Sequence, residues 1–277
     1  MPRISVLDLQ QKKADHEKIT MVTAYDRTMA RLLDLAAVDV VLVGDSLGMV
    51  VQGHDDTLPV TLDDMVYHGR CVARGLTRAH LCVDLPFMTY QVSVEQAITS
   101  AGRLMKEALA HSVKLEGGER VAPAIAKMVD AGIPVLGHVG LTPQSVHALG
   151  GFRVQGRDAA SAERVIRDAV AVAEAGAWGV VLEAVPMDVA AEITARLAIP
   201  TIGIGAGPHC DGQVLVSNDL LGMDQSFQPK FVKRYANLEA TIVAALQAYA
   251  DDVKSGAFPE RAHSFGGQGP RSISKLY

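Results

Sequence analysis

The sequence predicts an α/β fold, a single (β/α)8 TIM barrel with a long C-terminal helix and a tail, and three observations carry that expectation. Short β-branched apolar runs alternate with longer Ala- and Leu-rich segments, the alternation that produces parallel strands. The runs number eight in a chain of 277 residues, which favours a closed barrel over an open doubly wound sheet. Polar or acidic signatures, Gly44-Asp45-Ser46, Val83-Asp84-Leu85-Pro86, Lys114-Leu115-Glu116-Gly117-Gly118 and Leu182-Glu183, each follow such a run directly. In a parallel barrel those positions face the strand-to-helix loops, where the chemistry of such folds is kept.

The elements follow in order. A polar segment, residues 1–18, precedes the first strand, Ile19–Ala24, and the helix Arg27–Ala37, whose apolar residues recur at three and four positions. Val40–Val43 and Leu62–Gly75 repeat the unit, with Thr61 as N-cap, Asp64 completing its box and Gly75 ending the helix. His80–Val83 leads to Val94–Ala110, where Ser93 and Gln96 form the same kind of pair. Ser112–Leu115 precedes a helix over Gly118–Ala131 that Gly132 stops, and Pro134 restarts the chain as the strand Pro134–His138. Ser161 caps Ser161–Ala175, Gly176 ends it, and Gly179–Leu182 is the sixth strand. Val189–Leu197 leads to Pro200–Ile204, and Val214–Val216 is the eighth and weakest strand.

Phe231–Lys254 reads as a long amphipathic helix, followed by a Gly/Ser-rich tail, 264–277, that is either mobile or an arm docking on a neighbouring subunit. These elements form one domain over residues 1–277. Two polar stretches, Asp55–Val60 and Gly140–Asp158, are long enough to act as lids, with Gly151 and Gly156 as hinges of the second.

Composition excludes several function classes. A net charge of −5 with no Lys/Arg block argues against a nucleic-acid partner. Cys71, Cys82 and Cys210 form no C-x-x-C pair, so they read as reduced packing residues in a cytoplasmic protein. Met1–Lys18 lacks the apolar core of a secretory signal, and no run approaches the roughly 20 apolar residues that span a bilayer. The expectation is a soluble chain with no membrane partner.

The strand ends carry the chemistry. Asp45, Asp84 and Glu116 lie 39 and 32 residues apart, close to one strand-helix unit each in a barrel whose eight units share roughly 250 residues. Oxygen ligands on neighbouring strands, with no His or Cys beside them, suit a hard octahedral cation such as Mg²⁺. The plainer alternative is that each carboxylate caps a helix or pairs with a lysine.

Lys114 shares the strand face of Glu116, since side chains two apart point the same way, and a cation there implies an anionic substrate. Its alternative is a structural pair with Glu116 or Asp84. Ser46 offers a hydroxyl or backbone N–H to a carboxylate, or serves only as a cap. Glu183 falls roughly across the barrel from the carboxylates, the place for a base, with pairing to an Arg or Lys as the competing role. His138 orients a bound oxygen or is a hydrogen-bonded core histidine.

Ile202-Gly203-Ile204-Gly205-Ala206-Gly207 looks like a dinucleotide loop, yet it follows the seventh strand and no helix clearly begins at Gly207, so the Rossmann reading fails its context. A phosphate site after strands seven and eight, or simple room for a bulky ligand against bare backbone, remains open.

Val43–Met49, Asp84–Tyr90, Val113–Gly118, Gly137–Gln144 and Ile202–Gly207 through Asp211-Gly212-Gln213, in that order, resemble the sequence blocks of the ketopantoate hydroxymethyltransferase family. The similarity runs from about Ile4 to Ala262, and the tail lies beyond it. The resemblance implies a (β/α)8 barrel related to phosphoenolpyruvate mutase and isocitrate lyase, Mg²⁺ as the metal, and a homo-oligomer, a decamer or similar ring pair. It implies transfer of a hydroxymethyl group from 5,10-methylenetetrahydrofolate and water to 3-methyl-2-oxobutanoate, giving 2-dehydropantoate and tetrahydrofolate. At the matching motifs it implies Asp45, Asp84 and Glu116 as the metal centre, Asp45, Ser46, Asp84 and Lys114 as keto-acid contacts, and Glu183 as proton acceptor.

Residue chemistry accords with that reading: a 2-oxo acid chelates Mg²⁺ through a carboxylate and the ketone oxygen, which stabilises the enolate formed when the adjacent carbon loses its proton. Two alternatives stand beside it. A Mg-dependent C–C lyase of the isocitrate lyase or phosphoenolpyruvate mutase type needs a K-K-C-G-H-type cysteine loop that this sequence lacks. A non-catalytic metal-binding barrel needs only the carboxylates.

Overall fold

A computed structural model of the chain describes residues 3–226 and 228–265. Eight parallel strands close into a barrel in sequence order: β1 Ile19–Thr23, β2 Val40–Val43, β3 His80–Asp84, β4 Ser112–Glu116, β5 Val135–Gly140, β6 Gly179–Glu183, β7 Thr201–Ile204 and β8 Gly212–Leu215, with β8 pairing back on β1. The helices are α1 Val6–Ala14, α2 Arg27–Leu35, α3 Leu47–Val50, α4 Leu62–Ala73, α5 Val94–Glu107, α6 Ala122–Asp130, α7 Val146–Leu149, α8 Ala159–Glu174, α9 Met187–Arg196, α10 Ser217–Leu221 and α11 Leu238–Ser255. The expected barrel is therefore present. Residues 266–277 of the predicted tail lie outside the described residues.

β2, β3 and β4 are buried on both faces along their whole length, which is why they read as nearly continuous apolar runs. Outward residues such as Val41, Val83, Val113 and Val180 pack beneath the helices. Inward residues, among them Ile19, Met21, Leu42, Cys82, Val181 and Ile202, fill the barrel. The polar opening segment forms α1, a helix that the apolar periodicity did not announce. Ser5 and Asp8 form a reciprocal capping box at its start, and its Leu9, fully buried, joins the inner cluster with Ile4 and Val6. That helix plugs the end of the barrel opposite the strand carboxyl ends.

Several boundaries differ from expectation, each for a local reason. The cap of α8 is Asp158 and not Ser161; Ser161 is the third helical residue, whose hydroxyl bonds back to Asp158 in a reversed capping box. At α5, Ser93 accepts from the Gln96 N–H, but the Gln96 side chain accepts from Val92 N–H and completes no box. Thr61 and Asp64 do form theirs. The predicted Gly118–Ala131 helix splits into a 3-10 turn, Glu119–Val121, and α6. The predicted 231–254 helix begins only at Leu238, capped by the Asn237 side chain.

No helix separates β7 from β8. The Gly-rich run between them has Gly205 and Gly207 at φ 65° and 81°, and a Cβ at each would meet Phe231 and Met187 of this chain at 3.0 and 2.5 Å. Those glycines thus accommodate the chain's own side chains. The Gly140–Asp158 stretch is not a plain loop: it folds as the 3-10 turn Pro143–Ser145 and α7, and the Asp55–Val60 stretch meets it where His147 Nε2 approaches Asp56 Oδ2 at 3.7 Å. Among the described residues no helix is long and apolar enough to cross a membrane.

Candidate active site

Side chains at even offsets along β3, β4 and β5 point inward, so Cys82 and Asp84, Lys114 and Glu116, and Leu136 and His138 rise in two layers toward the strand carboxyl ends. The ladder register sets Asp84 beside Lys114 and Glu116 beside His138 on neighbouring strands. Glu183 ends β6 opposite Gly140. Gly140 has φ 94°, and a Cβ there would lie 2.4 Å from the Glu183 carbonyl oxygen, so only glycine lets β5 and β6 close at this point. Ala184, the residue after Glu183, holds a left-handed φ of 47°, and such strain collects at functional sites.

These side chains form one network. Lys114 Nζ lies 2.9 Å from Asp84 Oδ1 and 3.3 Å from His138 Nδ1. The Asp45 N–H donates to Asp84 Oδ2 at 3.1 Å. His138 Nδ1 is 3.5 Å from Glu116 Oε1, and its Nε2 is 3.2 Å from Glu183 Oε2. A lysine ammonium only donates, so His138 Nδ1 is the acceptor and its proton sits on Nε2, facing Glu183. The lysine does pair with Asp84, as its structural alternative anticipated, but it belongs to a larger cluster. Ser46 stands at the edge, its hydroxyl bonded to the Tyr25 hydroxyl at 2.8 Å and capping nothing.

Gln144 is the residue that sequence reasoning did not single out. Its N–H donates to Glu116 Oε2 at 3.0 Å, and its side-chain amide donates to Asp45 Oδ2 at 2.8 Å and to the Leu85 carbonyl at 3.0 Å. Its amide oxygen accepts from Tyr90 OH at 2.7 Å and Gln91 Nε2 at 3.0 Å. Every hydrogen-bonding group of the side chain is satisfied. Its place inside the block Gly137–Gln144 was the only available signal.

Burial sets the electrostatics. It pushes the Asp45 carboxyl up and Asp84 up to about 7, and it raises Glu116 well above the usual carboxylate range, with the Asp45 charge adding to the effect. Burial alone would lower Lys114, yet the charges of Asp84, Glu116 and Asp45 overcome it and hold the ammonium protonated. Burial and the adjacent Lys114 push His138 down, so the imidazole is neutral. Three buried carboxylates therefore face one ammonium.

Ionised together, the three would carry more negative charge than Lys114 balances, so oxygen-only donors in this setting fit a divalent cation, which can take the place of the protons that burial otherwise keeps on them. Among the described residues no three His, Cys, Asp or Glu side chains already converge as a coordination sphere. Asp45 and Glu116 are joined through Gln144, and Asp84 through Lys114 and the Asp45 N–H. Cys82, directly below Asp84 in the barrel, is pushed up to about 12 by burial, so it offers no nucleophile.

Comparison with known proteins places this geometry among relatives. The description of the ketopantoate hydroxymethyltransferase family matches residues 3–261. The 3-methyl-2-oxobutanoate hydroxymethyltransferase of Syntrophotalea carbinolica is 56% identical over 263 residues, covering 95% of this chain and 98% of that protein. The protein of the same name from Moorella thermoacetica is 56% identical, with 95% and 98% covered. Among solved structures, phosphonopyruvate hydrolase in complex with oxalate and Mg²⁺ aligns with a TM-score of 0.61 at 13% identity, covering 94% of this chain and 93% of that one. That last likeness is one of fold.

Proposed function

The chain belongs to the ketopantoate hydroxymethyltransferase family, and from that premise we propose that it transfers a hydroxymethyl group from 5,10-methylenetetrahydrofolate to 3-methyl-2-oxobutanoate through an enolate, giving 2-dehydropantoate for pantothenate biosynthesis. The observation that carries the reading is the buried cluster in which three carboxylates and one lysine face Glu183 across a neutral histidine. Asp45, Asp84 and Glu116 are the residues that would hold Mg²⁺, directly or through water. A divalent cation bound there supplies Lewis-acid stabilisation, worth several kcal/mol, to the oxygen that gains charge as the substrate enolises.

The chain's own residues do the rest. Lys114 supplies the positive charge that recognises the carboxylate of the keto acid, and its buried ammonium costs no reorganisation as charge builds. Glu183, less enclosed than the other carboxylates at 16% side-chain exposure, takes the proton from C3 of the substrate. A base positioned in this way contributes roughly 10²–10⁴-fold. His138 Nε2, 3.2 Å from Glu183 Oε2, stands beside that carboxylate and steadies it electrostatically. The freed C3 electron pair forms the bond to the methylene carbon as one of its two bonds to nitrogen breaks; water then displaces the second nitrogen and supplies the hydroxyl, and tetrahydrofolate departs with its two nitrogens carrying the proton taken from C3 and the one lost by water. Ser46 and the Asp45 backbone frame the substrate on the β2 side.

A cytoplasmic location and a homo-oligomer complete the reading. The assembly is supported by α11, which buries no residue and leaves Ile242, Val243, Leu246, Tyr249 and Val253 exposed. The decisive experiment is proton exchange: with Mg²⁺ in D₂O and no folate, the C3 proton of 3-methyl-2-oxobutanoate exchanges, and product forms once the folate is added. Absence of both would remove the transferase reading.

A further inference from the structure

Beside the carboxylate cluster lies a cavity of about 520 Å³ whose walls contain none of Asp45, Asp84, Lys114 or Glu183. That volume is within the range of small-molecule sites, roughly 300–1,000 Å³. Gln144 is shared by both: it lines the cavity and donates to Asp45. The cavity therefore opens beside the centre where the keto acid is proposed to react.

Its lining is mixed in character. Leu58, Phe87 and Leu149 give it an apolar strip with an aromatic face. It is also lined by Arg120 on the turn after β4 and Arg164 on α8. Both arginines are exposed, and among the described residues neither makes a hydrogen bond or an ion pair. Asp168 is the one carboxylate in the wall, and its Oδ1 already accepts the Glu119 N–H at 2.9 Å. Asp158 feels the charge of Arg164 but bonds Ser161 with its own oxygens. Both arginines thus line one cavity, and among the described residues neither is hydrogen-bonded to a carboxylate.

We propose that this cavity binds the folate co-substrate, with the apolar strip against its aromatic portion and Arg120 and Arg164 holding the carboxylates of its glutamate tail. The inference rests on the one-carbon transfer reading and adds to it where the donor sits. The lining supplies what each part of the ligand needs: Gln144 joins the cavity to the centre that the one-carbon unit must reach, the apolar side chains suit a flat aromatic ring system, and the arginines suit an anionic tail. Arginine is suited to the last role because its planar fork meets a carboxylate with two parallel hydrogen bonds.

The test compares two probes, tetrahydrofolate and tetrahydropteroate, which has the same ring system without glutamate, titrated against the intact protein and the R120Q/R164Q variant. The wild type is expected to bind tetrahydrofolate about tenfold or more tightly than tetrahydropteroate, as charge-assisted hydrogen bonds require, and the variant to bind both equally. The R120K/R164K pair, which keeps the charge but not the fork, retains part of the preference. A preference that persists in R120Q/R164Q, or a wild type that binds both probes alike, overturns the anchor while the transfer reading stands. A wild type that binds neither probe overturns both. Because the two arginines are exposed and unbonded, the substitutions leave the fold intact.

Discussion

Replacing Gln144 with methionine isolates what its amide does. Methionine keeps the chain length and nearly the volume but removes both donors and the acceptor. The bond from Nε2 to the Asp45 carboxylate, 2.8 Å long and buried, is charge-assisted, and a bond of that kind contributes about 1.5–3 kcal/mol. Released, Asp45 samples other rotamers and no longer stands where Glu116, still held by the Gln144 N–H, could share a cation with it. The expected cost is a loss of Mg²⁺ affinity of about 10–100-fold, the usual consequence of removing a group that orients a metal ligand.

Stability suffers less. Tyr90 OH turns to the Glu116 carbonyl 3.1 Å away and Gln91 returns to solvent, so the buried Leu85 carbonyl and the released Asp45 oxygen are the groups left without a donor. That costs about 1–3 kcal/mol, or a fall in Tm of a few degrees in a chain of this size. Calorimetric titration of Mg²⁺ in the presence of 3-methyl-2-oxobutanoate, beside a thermal scan, separates the two effects. Metal affinity unchanged within about twofold, with Tm lowered, would make Gln144 a purely structural bridge and refute the reasoning.

Three further outcomes follow from the same geometry. Glu183→Gln keeps keto-acid binding but lowers C3 proton exchange by about 10²-fold or more; near-normal exchange measured by NMR would remove Glu183 as the base. Mg²⁺ affinity should rise with pH through about 7, because Asp84, pushed up to about 7 by burial, must lose its proton to serve as a ligand. The sign reverses for metal-free stability: the folded state holds that proton above the unfolded pKa, so stability falls as pH rises from about 4 to 7. A flat affinity profile in titrations across that window would contradict the assignment. Leu9→Ala empties the plug beneath the inner layer and should cost about 2–5 kcal/mol in denaturant unfolding, and a loss well below that would show the barrel floor closes without α1.

Much of this was legible because it is local. Lys114 and Glu116 share a face by the period of an extended strand, and Asp84 and Glu116 follow runs that only a twice-buried strand would need. The alternation of those runs with helical spacing sufficed for a parallel barrel. Where reading failed, the deciding partner was distant or the signal ambiguous. Residues 231–237 continue an apolar spacing, but the Tyr235 N–H bonds the Leu220 carbonyl and helix formation waits for the Asn237 cap. The opening segment looked merely polar, yet its few apolar residues are those that seal the barrel floor. The Gly-rich run after β7 resembled a ligand loop, and only packing showed Phe231 and Met187 against it.

The order of strands and helices, and the identity of the groups at the strand ends, are therefore properties of the sequence itself, since periodicity and caps act over a few residues. Which of those groups meet is decided by closure of the barrel, which brings Gln144 to Asp45 across 99 positions and sets His138 between Lys114 and Glu183. Closure also removes water from them. Without it the same side chains would titrate as ordinary acids and bases, and three carboxylates would have no reason to need a shared counter-charge.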